Sequence, residues 1–206
     1  MPARKSLLRA ALPLLAGLFW IPQGAFAAAQ DYDHVQFAVM PHSELDFVSE
    51  DGTGLSIGAS WLFQNLVNLY VRHDHVDYDR AYSDHHILGL GWRFALTGRI
   101  DGIAGLETGR IRLKRSGDRD TFTAKRIFAG VGGRLWERST WSARYYRDAD
   151  YLGRFEGYYY ALEFGYRFAR RWSAVFELES GHYENLESQG GDPERDDLLL
   201  GLRYLF

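Results

Sequence analysis

The chain has 206 residues, is 46% hydrophobic and 25% charged, and carries a formal net charge of −3 with no cysteine. An aromatic share of 16%, with 22 glycines against 5 prolines, excludes a disordered chain, and the slight acidity argues against nucleic acid as a partner. The lack of cysteine removes disulfide scaffolds, zinc–thiolate sites and thiol catalysis together.

Residues 1–27 read as a secretory signal peptide. Arg4, Lys5 and Arg9 make the start positive, Ala10 to Trp20 is apolar, and Ala25 and Ala27 put small residues where a signal peptidase cuts. The apolar run is too short to cross a bilayer as a helix. The remainder, 28–206, is then one exported domain.

Past residue 31 the hydrophobic period is two almost everywhere, the mark of strands with one apolar and one polar face. Ten strands are predicted, over 32–40, 53–62, 66–76, 83–94, 99–112, 121–136, 140–149, 156–168, 171–183 and 197–206. The eighth shows the pattern best: Tyr158, Tyr160, Leu162, Phe164, Tyr166 and Phe168 alternate with Gly157, Tyr159, Ala161, Glu163, Gly165 and Arg167. The fifth and sixth are rich in glycine, and Ile103 and Phe128 fall on the wrong face.

The connections alternate in length. Short ones fall at 63–65, 95–98, 137–139 and 169–170, and long ones at 41–52, 77–82, 113–120, 150–155 and 184–196. That alternation fits an all-β, antiparallel up-and-down transmembrane barrel of about ten strands, eight being the alternative count, with both termini on the short-turn side. Trp61, Trp92, Trp136, Trp141 and Trp172 all lie near short turns, where a periplasmic aromatic girdle would sit. Tyr78, Tyr82, Tyr151, Tyr158 and Tyr183 lie near the long connections, as an opposite girdle would.

If the apolar parity faces lipid, the lumen receives Arg72, Arg93, Arg126, Arg134, Arg144, Arg167 and Arg203. It also receives Asp74, Asp101, Glu107, Asp148, Glu163, Glu177, Glu179 and Asp197. A soluble core would have to hide all of these, whereas a lumen can pair them. Arg72, Arg93, Arg144, Arg167 and Arg203 with Glu107, Glu163 and Glu177 are the expected charge network.

The last strand places Leu198, Leu200, Leu202, Tyr204 and Phe206 on one parity and ends on Phe206. This segment, and Leu202, Tyr204 and Phe206 in particular, resembles the assembly signal of small bacterial outer-membrane β-barrel proteins. The resemblance implies a location in the bacterial outer membrane, signal peptidase and the barrel-assembly machinery as partners in biogenesis, and outer-membrane lipid and lipopolysaccharide as neighbours. It implies no activity, since such barrels include adhesins, narrow pores, proteases and lipid-modifying enzymes.

Ten strands lie close to the size at which side chains fill the interior. The expected function is therefore a non-enzymatic barrel with a largely plugged, ion-paired lumen, acting as a structural or surface-interaction protein through its outer loops. The acidic stretches Ser43 to Asp51 and Glu184 to Asp197 would face outward and bind divalent cations or partners. A narrow pore is the alternative, because Gly89, Gly91, Gly130, Gly132 and Gly165 face inward and leave gaps. A second alternative is a hydrolase using rim residues among His42, His73, His75, His85, His86 and His182 with Asp74, Asp77, Asp79 and Asp84. No complete catalytic set stands out, and no cofactor motif is present. No metal site is assigned; the candidates are His73, His75 and His86, since a tight turn at Asp79-Arg80 would set His86 opposite His73 and Asp74 opposite His85.

Overall fold

The computed structural model describes residues 32–45, 50–115, 118–151, 155–185 and 194–206. The expected signal peptide lies outside them. Ten strands follow one another: β1 (His34–Leu45), β2 (Glu50–Phe63), β3 (Val67–Tyr78), β4 (Ala81–Ala95), β5 (Ile100–Arg115), β6 (Asp118–Trp136), β7 (Ser139–Tyr151), β8 (Phe155–Ala169), β9 (Trp172–Asn185) and β10 (Glu194–Leu205). Each pairs antiparallel with its neighbours in sequence, and β10 closes on β1, so the sheet is a closed up-and-down barrel without edges.

The ladder is strongly staggered. Following cross-strand pairs from His34 leads through Ser60, Tyr70, Gly89, Glu107, Arg126, Asp148 and Gly157 to Tyr183. One circuit thus climbs from the start of β1 to the far end of β9. Such a climb is the shear that closing a sheet imposes, and it tilts every strand against the barrel axis.

The strands run further than the hydrophobic pattern foretells, by one residue at some short turns and by more on the side of the long connections. The expected loop 77–82 is a two-residue link, Asp79-Arg80, between β3 and β4. The segments 46–49, 116–117, 152–154 and 186–193 of the other long connections lie outside the described residues. Backbone pairing continues past the apolar belt because alternation of facing, not hydrophobicity, is what a ladder needs. At the other end the turns are tight. Gln64 and Asn65 take φ of 51° and 57°, and Leu66 N–H donates to the Phe63 carbonyl at 3.0 Å. Positive φ at both central residues matches the twist of the flanking strands.

The barrel is apolar outside and charged inside. Phe37, Leu162 and Ile127 are 53%, 54% and 57% exposed, while Arg93, Asp101 and Asp148 are 1%, 1% and 0% exposed. A continuous apolar exterior of this kind is what hydrocarbon, not water, accommodates. Ile103 and Phe128, the two residues out of step with the pattern, face inward and join Tyr32, Tyr146, Tyr159 and Ala161 in a buried cluster. Tyr78 and Tyr183 also point inward, so they contribute nothing to an outer girdle. Their parity follows Asp74 and Glu179 on the same strands, which sets their direction whatever their chemistry.

Candidate functional site

Among the described residues polar and charged side chains concentrate in the lumen, which is filled in two ways. One is aromatic. Tyr70, Phe128, Tyr146 and Tyr159 form a ladder of rings with centroids 6.3, 5.3 and 4.2 Å apart, the last pair stacked at 4°. Three of the four rings stand opposite a glycine on a neighbouring strand: Tyr70 opposite Gly89, Phe128 opposite Gly105, Tyr159 opposite Gly181. A Cβ on Gly89 would lie 2.0 Å from Tyr70 Cζ, and one on Gly105 would lie 2.5 Å from Phe128 Cζ. Of the inward glycines expected to leave gaps, Gly89 is therefore a seat for a ring, and Gly91 lies against Phe128, whereas Gly130 and Gly165 lie against Arg144 and Thr140.

The other filling is ionic. Near the short-turn end, Arg93 and Asp101 on adjacent strands form a two-pronged pair, Nε to Oδ2 at 2.8 Å and Nη2 to Oδ1 at 3.0 Å. Arg203 grips Glu163 two strands away with both terminal nitrogens, at 2.7 and 2.5 Å, and its Nε donates to Gln36 Oε1 at 2.6 Å. Two parallel N–H···O bonds fix direction as well as distance.

Further up, the pairs give way to a shared network. Arg72 on β3 donates to Asp74 at 2.8 Å and reaches across the lumen to Glu179 at 2.8 Å and Glu177 at 3.5 Å on β9. Arg195 binds Asp197 and lies 3.2 Å from Glu179, and Ser43 donates to Asp197 at 2.5 Å. Arg126 lies 2.7 Å from Asp148 and 3.4 Å from Glu107, donates to Tyr159 at 3.2 Å, and sits over the Tyr159 ring. Tyr70 donates to the other oxygen of Glu107. Ionic and aromatic fillings are thus joined through Glu107 and Arg126.

Between the two fillings lies a cavity of about 100 Å³ lined by Arg72, Arg144, Tyr146, Glu163, Glu177 and Arg203, among others. Arg72 Nη2, Asp74 Oδ2 and Arg144 Nε are buried without a protein hydrogen bond. The cavity has room for water to reach such atoms. It is smaller than the roughly 300 Å³ at which pockets for small organic ligands begin.

The inward charges expected from the sequence all face the lumen, with Arg134 and Arg167 half-buried toward the short-turn end. Pattern reading missed Arg195, which belongs to β10 and not to a loop, and it missed the ring ladder. Ser43, Arg195 and Asp197 point inward and are buried, so the stretches read as outward acidic loops contribute in part to the lumen. Trp61, Trp92, Trp136, Trp141 and Trp172 lie on the outer face toward the short turns. On the terminal strand Leu202, Tyr204 and Phe206 face outward, and Tyr204 packs edge-on against Trp172 at 5.2 Å.

At the opposite rim, His73 pairs with His86 and Asp74 with His85. Asp74 and His85 point into the lumen, while His73, His75, Asp84 and His86 point outward, so these acids and imidazoles do not share a cleft. His73 and His86 stack face to face at 4.4 Å, which keeps their nitrogens from converging on one point. His75 is held by Asp84 at 2.7 Å and by Asp77 at 3.4 Å. Among the described residues no group of three or more His, Asp or Glu is arranged to hold a metal ion. The hydrogen bond that His75 donates to the Asp84 carboxylate raises the His75 pKa above its ordinary value.

No protein-family model matches the chain, and no curated protein matches it. Solved structures do. The β-domain of the Bordetella autotransporter Brka superposes with a TM-score of 0.56 at 13% identity, over 86% of this chain and all (100%) of that one. The translocator domain of the autotransporter NalP from Neisseria meningitidis gives 0.45 at 10% identity, over 98% of each chain. Neisserial surface protein A gives 0.44 at 11% identity, over 87% of this chain and 99% of that one. Of these, the Brka likeness alone carries weight, and at its level of identity it speaks to the barrel fold and nothing finer.

Proposed function

We propose that the chain is an integral barrel of the bacterial outer membrane whose lumen is closed, and that it works as a structural or surface-interaction protein and not as a conduit or an enzyme. The observation that carries this reading is the lumen itself. Opposite walls are tied by Arg72 to Glu177 and Glu179, the rings of Tyr70, Phe128, Tyr146 and Tyr159 fill the other side, and the cavity between them measures about 100 Å³. A conduit needs a continuous polar path, and charge pairs that satisfy one another do not supply it. The apolar exterior and the alternating turns support the membrane part of the reading.

The test is to fold the protein into phospholipid vesicles, confirm the barrel by its heat-modifiable migration, and follow vesicle swelling in small sugars. Folded protein without swelling is the expected result. Swelling above the rate of empty vesicles would make the chain a pore.

A further inference from the structure

The outer face of the barrel is not uniform above its apolar belt. The first charged or imidazole-bearing outward residue on each of β3 to β7 is basic or imidazole: His73, His86, Arg110, Lys125 and Arg147. Register makes them a continuous arc. His73 pairs with His86, His86 with Arg110, Arg110 with Thr123, one outward place from Lys125, and Arg147 opposes Ile127, the next outward residue below Lys125. On the remaining strands the corresponding arc is acidic at Glu156 on β8, Asp196 on β10 and Asp51 on β2, and carries imidazoles at His182 on β9 and His42 on β1, each 3.8 Å from a carboxylate, Glu194 and Glu44.

Arg110 and Lys125 are exposed, and Arg112 lies one outward place above Arg110. Asp84, the cross-strand partner of Arg112, is engaged by His75. Leu88, Leu106 and Ile127 lie directly below the arc and are 48%, 52% and 57% exposed. Cations placed on a barrel wall immediately above lipid-facing side chains stand at the depth of headgroup phosphates.

We propose that the β3–β7 arc is a binding site for a phosphorylated, acylated glycolipid of the outer leaflet, with Arg110 and Lys125 on its phosphates, Arg112 above them and Leu106 and Ile127 against its chains. The site orients the barrel toward one side in the membrane, because the acidic arc repels the same headgroup. A second copy of the chain, offering its acidic arc to this basic one, is the competing occupant, and it lacks acyl chains for the apolar wall below. This inference rests on the membrane reading above.

The test uses the full-length chain folded into phosphatidylethanolamine vesicles doped with either bisphosphorylated lipid A or phosphatidylglycerol, then extracted gently and weighed intact by native mass spectrometry. Lipid A should be retained about tenfold more than phosphatidylglycerol. R110Q/K125Q should lose that preference, and the control E44Q/D196N on the other arc should keep it. Equal retention of the two lipids by the natural chain, or an unchanged preference in R110Q/K125Q, would overturn the proposal. So would lipid-free dimers that R110Q/K125Q dissociates. A chain that gives no heat-modifiable band in any vesicle would overturn the membrane reading, and this site with it.

Discussion

The lower and upper lumen hold similar charges in different ways. Near the short turns, Arg93–Asp101 and Arg203–Glu163 are one-to-one, two-pronged pairs joining strands that are adjacent or two apart. Higher up, Arg72, Arg195, Asp74, Glu177, Glu179 and Asp197 share partners, and Arg72 spans from β3 to β9. A private pair is all or nothing: remove one member and the other is a buried charge with no second choice. A shared network loses one contact and redistributes. On the proposed reading the lower pairs stabilise the wall and the upper network closes the opening.

The largest effect should follow from breaking a private pair. Arg93→Met strands Asp101 and should cost about 3–5 kcal/mol, read from the urea midpoint of folding in vesicles. The double change R93M/D101L should recover most of that loss. Arg72→Gln should cost less, about 1.5–3 kcal/mol: Glu179 keeps Arg195, and the glutamine amide retains a donor for Asp74, which with Glu177 loses its cation. A loss for Arg72→Gln equal to that for Arg93→Met would erase the distinction between pair and network.

The aromatic filling gives a third, comparable effect. Gly89→Val would drive new methyl groups into the Tyr70 ring and should cost about 1–3 kcal/mol in the same assay. Tyr70→Ala alone opens a cavity, so placing it with Gly89→Val should offset part of both losses. Simple additivity of the two would show that the ring does not sit on that glycine.

The smallest effect lies at the rim, above the apolar belt. Because the Asp84 hydrogen bond raises the His75 pKa in the folded protein, folding favours the protonated ring. The His75–Asp84 contact therefore contributes fully below the ordinary imidazole value near 6.5 and fades as pH rises through the raised value. The His75 ring should titrate above 6.5 by NMR, and Asp84→Asn should bring it back toward 6.5. No change on substitution would mean that the carboxylate is not what holds the proton.

Facing was legible in the sequence because a strand has only two faces and lipid demands one of them. Once Leu88, Leu90 and Trp92 are placed outward, Arg93 and Gly91 have nowhere else to go. The upper strand ends were not legible. Around Glu194 to Asp197 no apolar alternation marks the ladder, so Arg195 reads as loop although it is buried among carboxylates. The ring ladder was hidden for a different reason: Phe128 is apolar on an inward parity, which a two-face pattern records as a mismatch. The clue lay in pairing. Gly52, Gly105, Gly157 and Gly181 each stand opposite Tyr78, Phe128, Tyr183 and Tyr159 in turn, a match that appears only when the register is known.

The central claim is closure of the lumen, and single-channel recording of the folded protein in planar bilayers tests it most directly. The natural chain should give a silent trace while its heat-modifiable band shows that the barrel is folded, and Arg72→Gln should be the substitution that introduces discrete current steps. Regular steps from the natural chain, with a size that changes when Arg72 or Glu177 is neutralised, would contradict the claim and make the lumen a water-filled path.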